Sequence, residues 1–398
     1  MLLANKKILL GITGSIAAYK SILLTRLLIK EGAEVRVVMT PASKEFVSPL
    51  VLSVLSKNKV IIEWHEDYEW NNHVALGRWA DLMVIAPLTC NTLSKMVHGG
   101  CDNVLLAAYL SAICPVLVVP AMDEDMWHNW ATQKNMALLN ENGVHSLKVR
   151  IGELASGLHG EGRLAEPEEI LDHIIEKFFR GTALSGKKVL VTAGPTYEPF
   201  DPVRFIGNRS SGKMGFALAE AFYLQGAEVV LVSGPSAQES RFQGIDVLKV
   251  GTAEEMFNAC LANMDSDVVV MSAAVADYRP SVAAEQKIKK SEDGLSLDLV
   301  KNKDILGYFG EHKKTGQILV GFALETENEK EHAFQKLKKK NLDLIVLNSL
   351  NDDGAGFDMD TNKVSLIHAK GIVEMPLQSK KELAGEIVSY LINKMGIK

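Results

Sequence analysis

One plan written twice limits what this chain can fold into. "NKKILLGITGSIAAYKSILLTRLLIKEGAEVRVVMT" begins at Asn5, and "GKKVLVTAGPTYEPF", running on to "FALAEAFYLQGAEVVLVSG", begins at Gly186. Each copy opens with a short apolar run, passes a glycine-containing turn, continues with amphipathic-helix spacing and returns through GAEV into a second apolar run. Short apolar strands alternating with helical patterns are the signature of β-α-β units and a buried parallel sheet. Each half is therefore expected to be a doubly wound α/β domain, and a chain of 398 residues has room for two or three domains of about 100 to 200 residues.

Further strands are expected at 80–87 and 114–122 in the first half, with helices near 91–98, 102–112, 124–141 and 167–179. In the second half, strands are expected at 187–194, 267–277, 317–326 and 342–349, with helices near 253–264, 328–340 and 380–395. The sequence "NDDGAGFDMDTNKVSLI" reads as a turn leading into a strand. The boundary falls in "RGTALSGKK", where a helical pattern ends at glycine before a fresh strand, giving domains of 1–182 and 186–398. Each domain should carry its ligand cleft at the carboxyl ends of its strands.

The formal net charge of -6 argues against nucleic-acid binding, which needs a clustered basic surface. No apolar run reaches the roughly 18 to 20 residues that span a bilayer, and "MLLANKKILL" is unlike a signal peptide, so no membrane partner and a cytoplasmic location are expected. Cys90, Cys101, Cys114 and Cys260 form no CxxC pair, which fits reduced thiols. On charge alone, "KIKK" at 287–290 reads as a solvated loop.

"FIGNRSSGKMG" at 205–215 nearly spells a P-loop, with Gly207, Gly212 and Lys213 at the right spacing. The magnesium-binding hydroxyl is replaced by Met214, and the preceding strand ends well before Gly207, so a triphosphate loop is rejected. The first-half turn "GITGSIAAYK" is G-x-x-G-x-x-A. It suits a mononucleotide phosphate on a helix N-terminus with Ser15 as donor, and equally a tight turn without ligand. Loops at 39–43, 86–92 and 120–127 belong to the same sheet edge, and their small residues, prolines and amides suit a flat ring lying against backbone. His73 precedes a helical stretch; a lone histidine is more often structural than catalytic.

His73 in "HVALGRWADLMVIAP", the amide of "APLTCNTLSKM", the "PAMDEDMW" loop and "GELASGLHGEGR" together resemble the flavin-dependent cysteine decarboxylases, specifically the phosphopantothenoylcysteine decarboxylases, across about residues 5–180. The resemblance implies a flavodoxin-like domain holding FMN through Gly14, Ser15, Thr40, Ser43, Pro87, Thr89, Asn91 and Met122, with His73 as catalytic base. It further implies that flavin oxidises the substrate thiol to a thioaldehyde, that carbon dioxide leaves to give an enethiolate, and that hydride and a proton then return. Two positions depart from the family pattern. Asp123 stands where asparagine would meet the substrate carboxylate, and Ser156 stands where a cysteine would donate the proton. An ionised Asp123 repels a carboxylate unless burial raises its pKa or the side chain turns away. A thiol of pKa about 8.5 is a workable acid at neutral pH and serine is a poor one, so Ser156 is expected to relay a proton from water or another acid, or a different cysteine to substitute.

"GPTYEPFDPVRFIGNRSSGKMG" resembles the signature of phosphopantothenate-cysteine ligases. That resemblance implies a Rossmann-like domain in which Arg204 and Asn208 hold the acylated intermediate and Ser210, Ser211 and Gly212 take the substrate phosphate. It also implies that Asp277, Asn302, Lys303, Asp304 and Ile305, with Phe322, Lys336 and Lys340, bind CTP, while Lys287 stabilises charge as the carboxylate attacks the α-phosphate. Lysines with Mg2+ suit a triphosphate. The implied enzyme is bifunctional: it joins 4'-phosphopantothenate to L-cysteine with CTP, then decarboxylates the product, and it works as a homo-oligomer.

Overall fold

The computed structural model describes residues 1–66, 69–289, 295–325, 327–349 and 359–396. The chain divides into two compact units, Met1–Phe179 and Arg180–Lys398. In the first, five parallel strands lie in the order Glu34–Met39, Lys7–Ile12, Leu82–Leu88, Val116–Pro120, His145–Ser146. Numbered along the chain this is 2-1-3-4-5, the flavodoxin-like doubly wound order, whose switch point lies between Lys7–Ile12 and Leu82–Leu88. The second unit has an eight-stranded sheet in the order Asp246–Lys249, Glu228–Ser233, Lys188–Ala193, Val268–Met271, Ile318–Glu325, Leu344–Ser349, Thr361–His368, Gly371–Ser379. Its six parallel strands follow 3-2-1-4-5-6, the Rossmann order, and the last two add an antiparallel hairpin.

The repeated GAEV has one explanation in both units. Gly32 and Gly226 follow the helices Tyr19–Lys30 and Lys213–Leu224 with φ of 92° and 100°, a left-handed helix ending that favours glycine. Ala33 and Ala227 are buried, and Glu34 and Glu228 start strands paired with Lys7 and Lys188. Register is pinned by an aspartate just before the neighbouring strand. Asp81 Oδ2 accepts the Lys7 N–H at 2.8 Å, and Asp267 Oδ2 accepts that of Lys188 at 2.8 Å. Asp343 repeats the device on Leu319 at 2.7 Å. Both central strands are buried on both faces, so almost every side chain in them is apolar.

Local chemistry moves several boundaries from the expected ones. The stretch 124–141 is two helices, Glu124–His128 and Trp130–Glu141, because Asn129 leaves helical geometry and caps the second through Ala131 N–H at 3.0 Å. The strand expected over 267–277 stops at Met271, where small residues leave the sheet, and 167–179 passes from α-helix to a π-helical turn after Ile174. The second strand of the C-terminal hairpin, Gly371–Ser379, alternates half-buried and exposed residues and was not expected. The turn expected at 351–358 lies outside the described residues.

Leu190 is fully buried in the strand shared by both wings of the second sheet. Leu190→Ala is expected to cost about 2–5 kcal/mol, read as a lower urea midpoint for the second unit with the first unit's transition unmoved.

Candidate functional site

In the first unit, loops from four strand ends enclose a cavity of about 520 Å³ at the switch point. Gly14, Ser15, Thr40, Thr89, Asn91 and Met122 line it, together with Cys90 and Lys95 from the same 86–96 stretch and with Asp102 and Asn103, which no motif marked. Thr13 ties two loops: its hydroxyl donates to Pro87 O at 2.7 Å and accepts from Thr89 N at 3.1 Å. At Gly14 a Cβ would press on Ala42, so glycine is what lets the two loops meet. Ser43 and Pro87 do not line the cavity. Ser43 is 0% exposed and donates to Thr40 O at 2.7 Å, so both residues shape the wall from behind.

Asp123 turns its carboxylate to the backbone. It caps the helix Glu124–His128, Oδ1 accepting the Glu124 N–H at 2.9 Å, a place where negative charge is favourable. Ser156 is exposed on the turn of the hairpin Arg150–Glu153/His159–Arg163, its Oγ accepting from Leu158 N at 3.4 Å. The hairpin base rests on the Asp123 loop, Met122 N donating to Gly162 O at 3.0 Å. A Cβ on Gly160 or Gly162 would collide with Glu124 or Met122 there. Behind it, buried Lys20 donates to Leu164 O at 3.0 Å and Glu166 at 2.9 Å, and that bond is the main reason the Glu166 carboxyl lies below its ordinary value. His73 opens the helix His73–Trp79, capped by Asn72. Its ring meets Trp64 and Trp70 edge-on at 6.0 and 5.6 Å, its Nδ1 is buried without a hydrogen-bond partner, and it does not line the cavity.

The second unit holds two adjoining cavities of about 420 and 520 Å³ that share Ala273, Ala274 and Phe322. Asn208, Ser210, Ser211 and Gly212 line the smaller. Asp277, Asn302, Lys303, Asp304, Ile305, Lys336 and Lys340 line the larger. The Asn208 amide donates to Ala274 O and Val275 O at 3.2 and 3.0 Å, and that of Asn302 to Ala276 O at 2.8 Å, so both fasten the segment after the strand Val268–Met271. Asp304 caps the helix Ile305–Glu311 and pairs with Lys340 at 2.8 Å. Burial works against its ionisation, yet the Lys340 and Gly307 N–H bonds outweigh it and hold the carboxyl below its ordinary range. Lys336 donates to Phe322 O at 2.9 Å. Residues from 348 onward in the smaller cavity, Asn348, Asn362 and Lys380, lie more than a hundred residues from Asn208 in sequence and escape any motif.

Arg204 and Lys287 line neither cavity. The Arg204 guanidinium grips Asp201, with Nε at 2.9 Å and Nη2 at 2.5 Å, and donates to Ile288 O at 2.9 Å. Asp201 also accepts the N–H groups of Val203, Arg204 and Ile288. Arg204 is the main reason the Asp201 carboxyl lies well below the usual carboxylate range, with burial opposing. The pair thus clasps the 284–289 segment that presents Lys287 to solvent.

Residues 2–179 match the family described as Flavoprotein, and residues 184–395 match the DNA/pantothenate metabolism flavoprotein C-terminal domain. A relative from an unknown prokaryotic organism, named cysteine/cysteine sulfinic acid decarboxylase, is 47% identical over 354 residues, covering 87% of this chain and 99% of that one. The coenzyme A biosynthesis bifunctional protein CoaBC of Vibrio vulnificus (strain CMCP6) is 42% identical over 400 residues, 99% of each chain. Among solved structures, the C-terminal domain of a CoaBC is 42% identical, with a TM-score of 0.45 over 53% of this chain and 96% of that one.

Because the folded Asp201 pKa is depressed, the clasp is complete above the unfolded carboxylate value of about 3.9 and is lost only as pH falls through the folded value. Asp201→Asn is expected to speed tryptic cleavage after Lys287 and Lys289 at pH 7 by about tenfold or more, where the wild type stays protected, through loss of a buried charge-assisted network. Equal cleavage of both proteins would remove the clasp's role.

Proposed function

We propose a division of labour for this chain, which belongs to the DNA/pantothenate metabolism flavoprotein family of bifunctional coenzyme A biosynthesis proteins. Residues 186–398 join 4'-phosphopantothenate to L-cysteine at the expense of CTP. Residues 1–182 then decarboxylate the product to 4'-phosphopantetheine, releasing carbon dioxide. The observation that carries the reading is the pair of connected cavities in the second unit, one lined by Asn208 to Gly212 and the other by Asp277, Lys336 and Lys340. Two substrates bound on either side of Phe322 would meet at that residue. The pantothenate carboxylate would attack the α-phosphorus of CTP, pyrophosphate would leave, and the cysteine amine would then displace CMP from the acyl carbon. Lys336 and Lys340 lower the cost of gathering a polyanion, Lys287 offsets charge on the transferring group, and Arg204 acts through its clasp on the Lys287 segment. Among the described residues no group of three or more His, Cys, Asp or Glu forms a metal cluster, so Mg2+ would arrive on the triphosphate.

FMN fits the first cavity, where small residues and the Gly14 turn form a cradle at the sheet's switch point. When bound, it supplies a reversible two-electron acceptor for the substrate thiol. Asn91, Ser15 and Thr40 would hold it, while Asp123 keeps the hairpin loop in place and Ser156 passes a proton from solvent to the substrate carbon. His73, the proposed base, lies outside the cavity, against Trp70 and next in sequence to Val74, both of which are exposed. A second copy of the chain packed on this apolar face would cover it and complete the site, so we take the working form as a homo-oligomer in the cytoplasm. Among the described residues, no helix is long and apolar enough to cross a membrane. A second reading, favoured by the 47% identical relative, has the first unit decarboxylate free cysteine or its sulfinic acid.

Mass analysis of purified protein given phosphopantothenoylcysteine, cysteine or cysteine sulfinic acid separates these readings. Saturated phosphopantetheine is expected. The unsaturated enethiol would mean that Ser156 stops the cycle after oxidation, no reaction at all would leave the flavin unit a regulatory part, and turnover of the small acids alone would establish the second reading. Gly14→Val is expected to yield colourless protein whose ligase activity persists, checked by the flavin absorbance. Val74→Asp is expected to lower the oligomer mass in light scattering, and an unchanged mass would remove this face from the assembly.

A further inference from the structure

The stretch GPTYEP follows the strand Lys188–Ala193, and neither reaction above gives its threonine a part. Thr196 is 0% exposed and lines neither cavity of the second unit. Its Oγ1 accepts the N–H of Ala276, itself buried, at 3.0 Å. Ala276 belongs to a strap, residues 272–277, that leaves the sheet after the strand Val268–Met271 and supplies Ala273 and Ala274 to both cavities. Three N–H groups of the strap are held from the 192–196 turn: that of Ala273 by Thr192 Oγ1 at 3.1 Å, that of Ala274 by Gly194 O at 2.9 Å, and that of Ala276 by Thr196. Its carbonyls are held by two asparagines, one lining each cavity. Asn208 takes those of Ala274 and Val275, and Asn302 takes that of Ala276. Buried backbone groups need partners, and outside the sheet these bonds are what fix the place of the shared wall.

We propose that Thr196 is a positioning residue of the ligase reaction: through Ala276 it sets the strap against which the carboxylate of the acid and the α-phosphorus of the nucleotide are aligned. The inference rests on the ligase reading above and adds to it a residue that stands behind the ligands rather than against them. The carboxylate oxygen forms its bond to phosphorus as the bond to pyrophosphate breaks, and a misplacement of about 1 Å in such an arrangement costs on the order of a hundredfold in rate. Valine at 196 keeps the shape of threonine and removes the acceptor, so the Ala276 N–H is left unpaired and the strap moves to satisfy it. Binding is less affected, because Lys336 and Ser210 stand on other elements, the helix Glu329–Lys339 and the loop before the helix Lys213–Leu224.

The test uses the full chain. It measures amide formation from 4'-phosphopantothenate, cysteine and CTP, together with dissociation constants for 4'-phosphopantothenate and for CTP by calorimetry. Thr196→Val is expected to lower kcat by about tenfold or more while both dissociation constants stay within about threefold. Thr196→Ser, which restores the acceptor, is expected to recover most of kcat. If Thr196→Val does not fold, Thr192→Val removes the other hydroxyl acceptor of the strap and carries the same expectation. An unchanged kcat in the folded variant, a kcat that Thr196→Ser does not recover, or binding lost in step with kcat overturns the inference and leaves the ligase reading standing. A wild type that makes no amide overturns both.

Discussion

A parallel strand cannot follow its neighbour through a tight turn; the chain must cross back over the sheet before it can run the same way again. Every parallel strand therefore ends on the same edge, and every loop leaving a strand there is free to carry chemistry. In both units the edge opens at the switch point beside the central strand, between Lys7–Ile12 and Leu82–Leu88 in one and between Lys188–Ala193 and Val268–Met271 in the other. The cavities lie at these edges. Their shape depends on register, which Asp81, Asp267 and Asp343 hold at the opposite ends of the strands.

Once that edge exists, ionisable side chains divide into those that build walls and those that face ligand. Asp123 looks like an obstacle to an anionic substrate, yet as a helix cap its carboxylate accepts the Glu124 N–H. Arg204 looks like a ligand for an acyl group, yet its guanidinium is committed to Asp201 and Ile288. Lys20, which closes the GITGSIAAYK stretch, anchors the segment behind the hairpin that carries Ser156. In each case the hydrogen-bond partner, rather than the residue type, decides the role.

Much of the architecture was legible because buried parallel strands are nearly pure apolar runs and their helices keep a 3.6-residue period. The antiparallel strand Gly371–Ser379 was not, since one half-exposed face breaks the run. Of the residues expected at the flavin cavity, Gly14, Ser15, Thr40, Thr89, Asn91 and Met122 line it because each lies at or just after a strand end, a position that sequence reveals. Ser43 and Pro87 share that address but face inward, and a string of letters does not tell which way a loop side chain turns. His73 lies apart from the cavity.

By itself, then, the sequence determined the two β-α-β halves, the glycine-ended helices before each GAEV, and the strand-end loops in which ligand chemistry belongs, since these follow from local propensity and periodicity. Only the tertiary structure decided that Asn348, Asn362 and Lys380 share a cavity with Ser210 and Ser211, that Asp201 and Arg204 clasp the Lys287 segment, and that Asp277, Asn302 and Lys336 line one wall system. Those meetings depend on strand order across the sheet, and strand order brings together residues whose separation along the chain carries no trace of their contact.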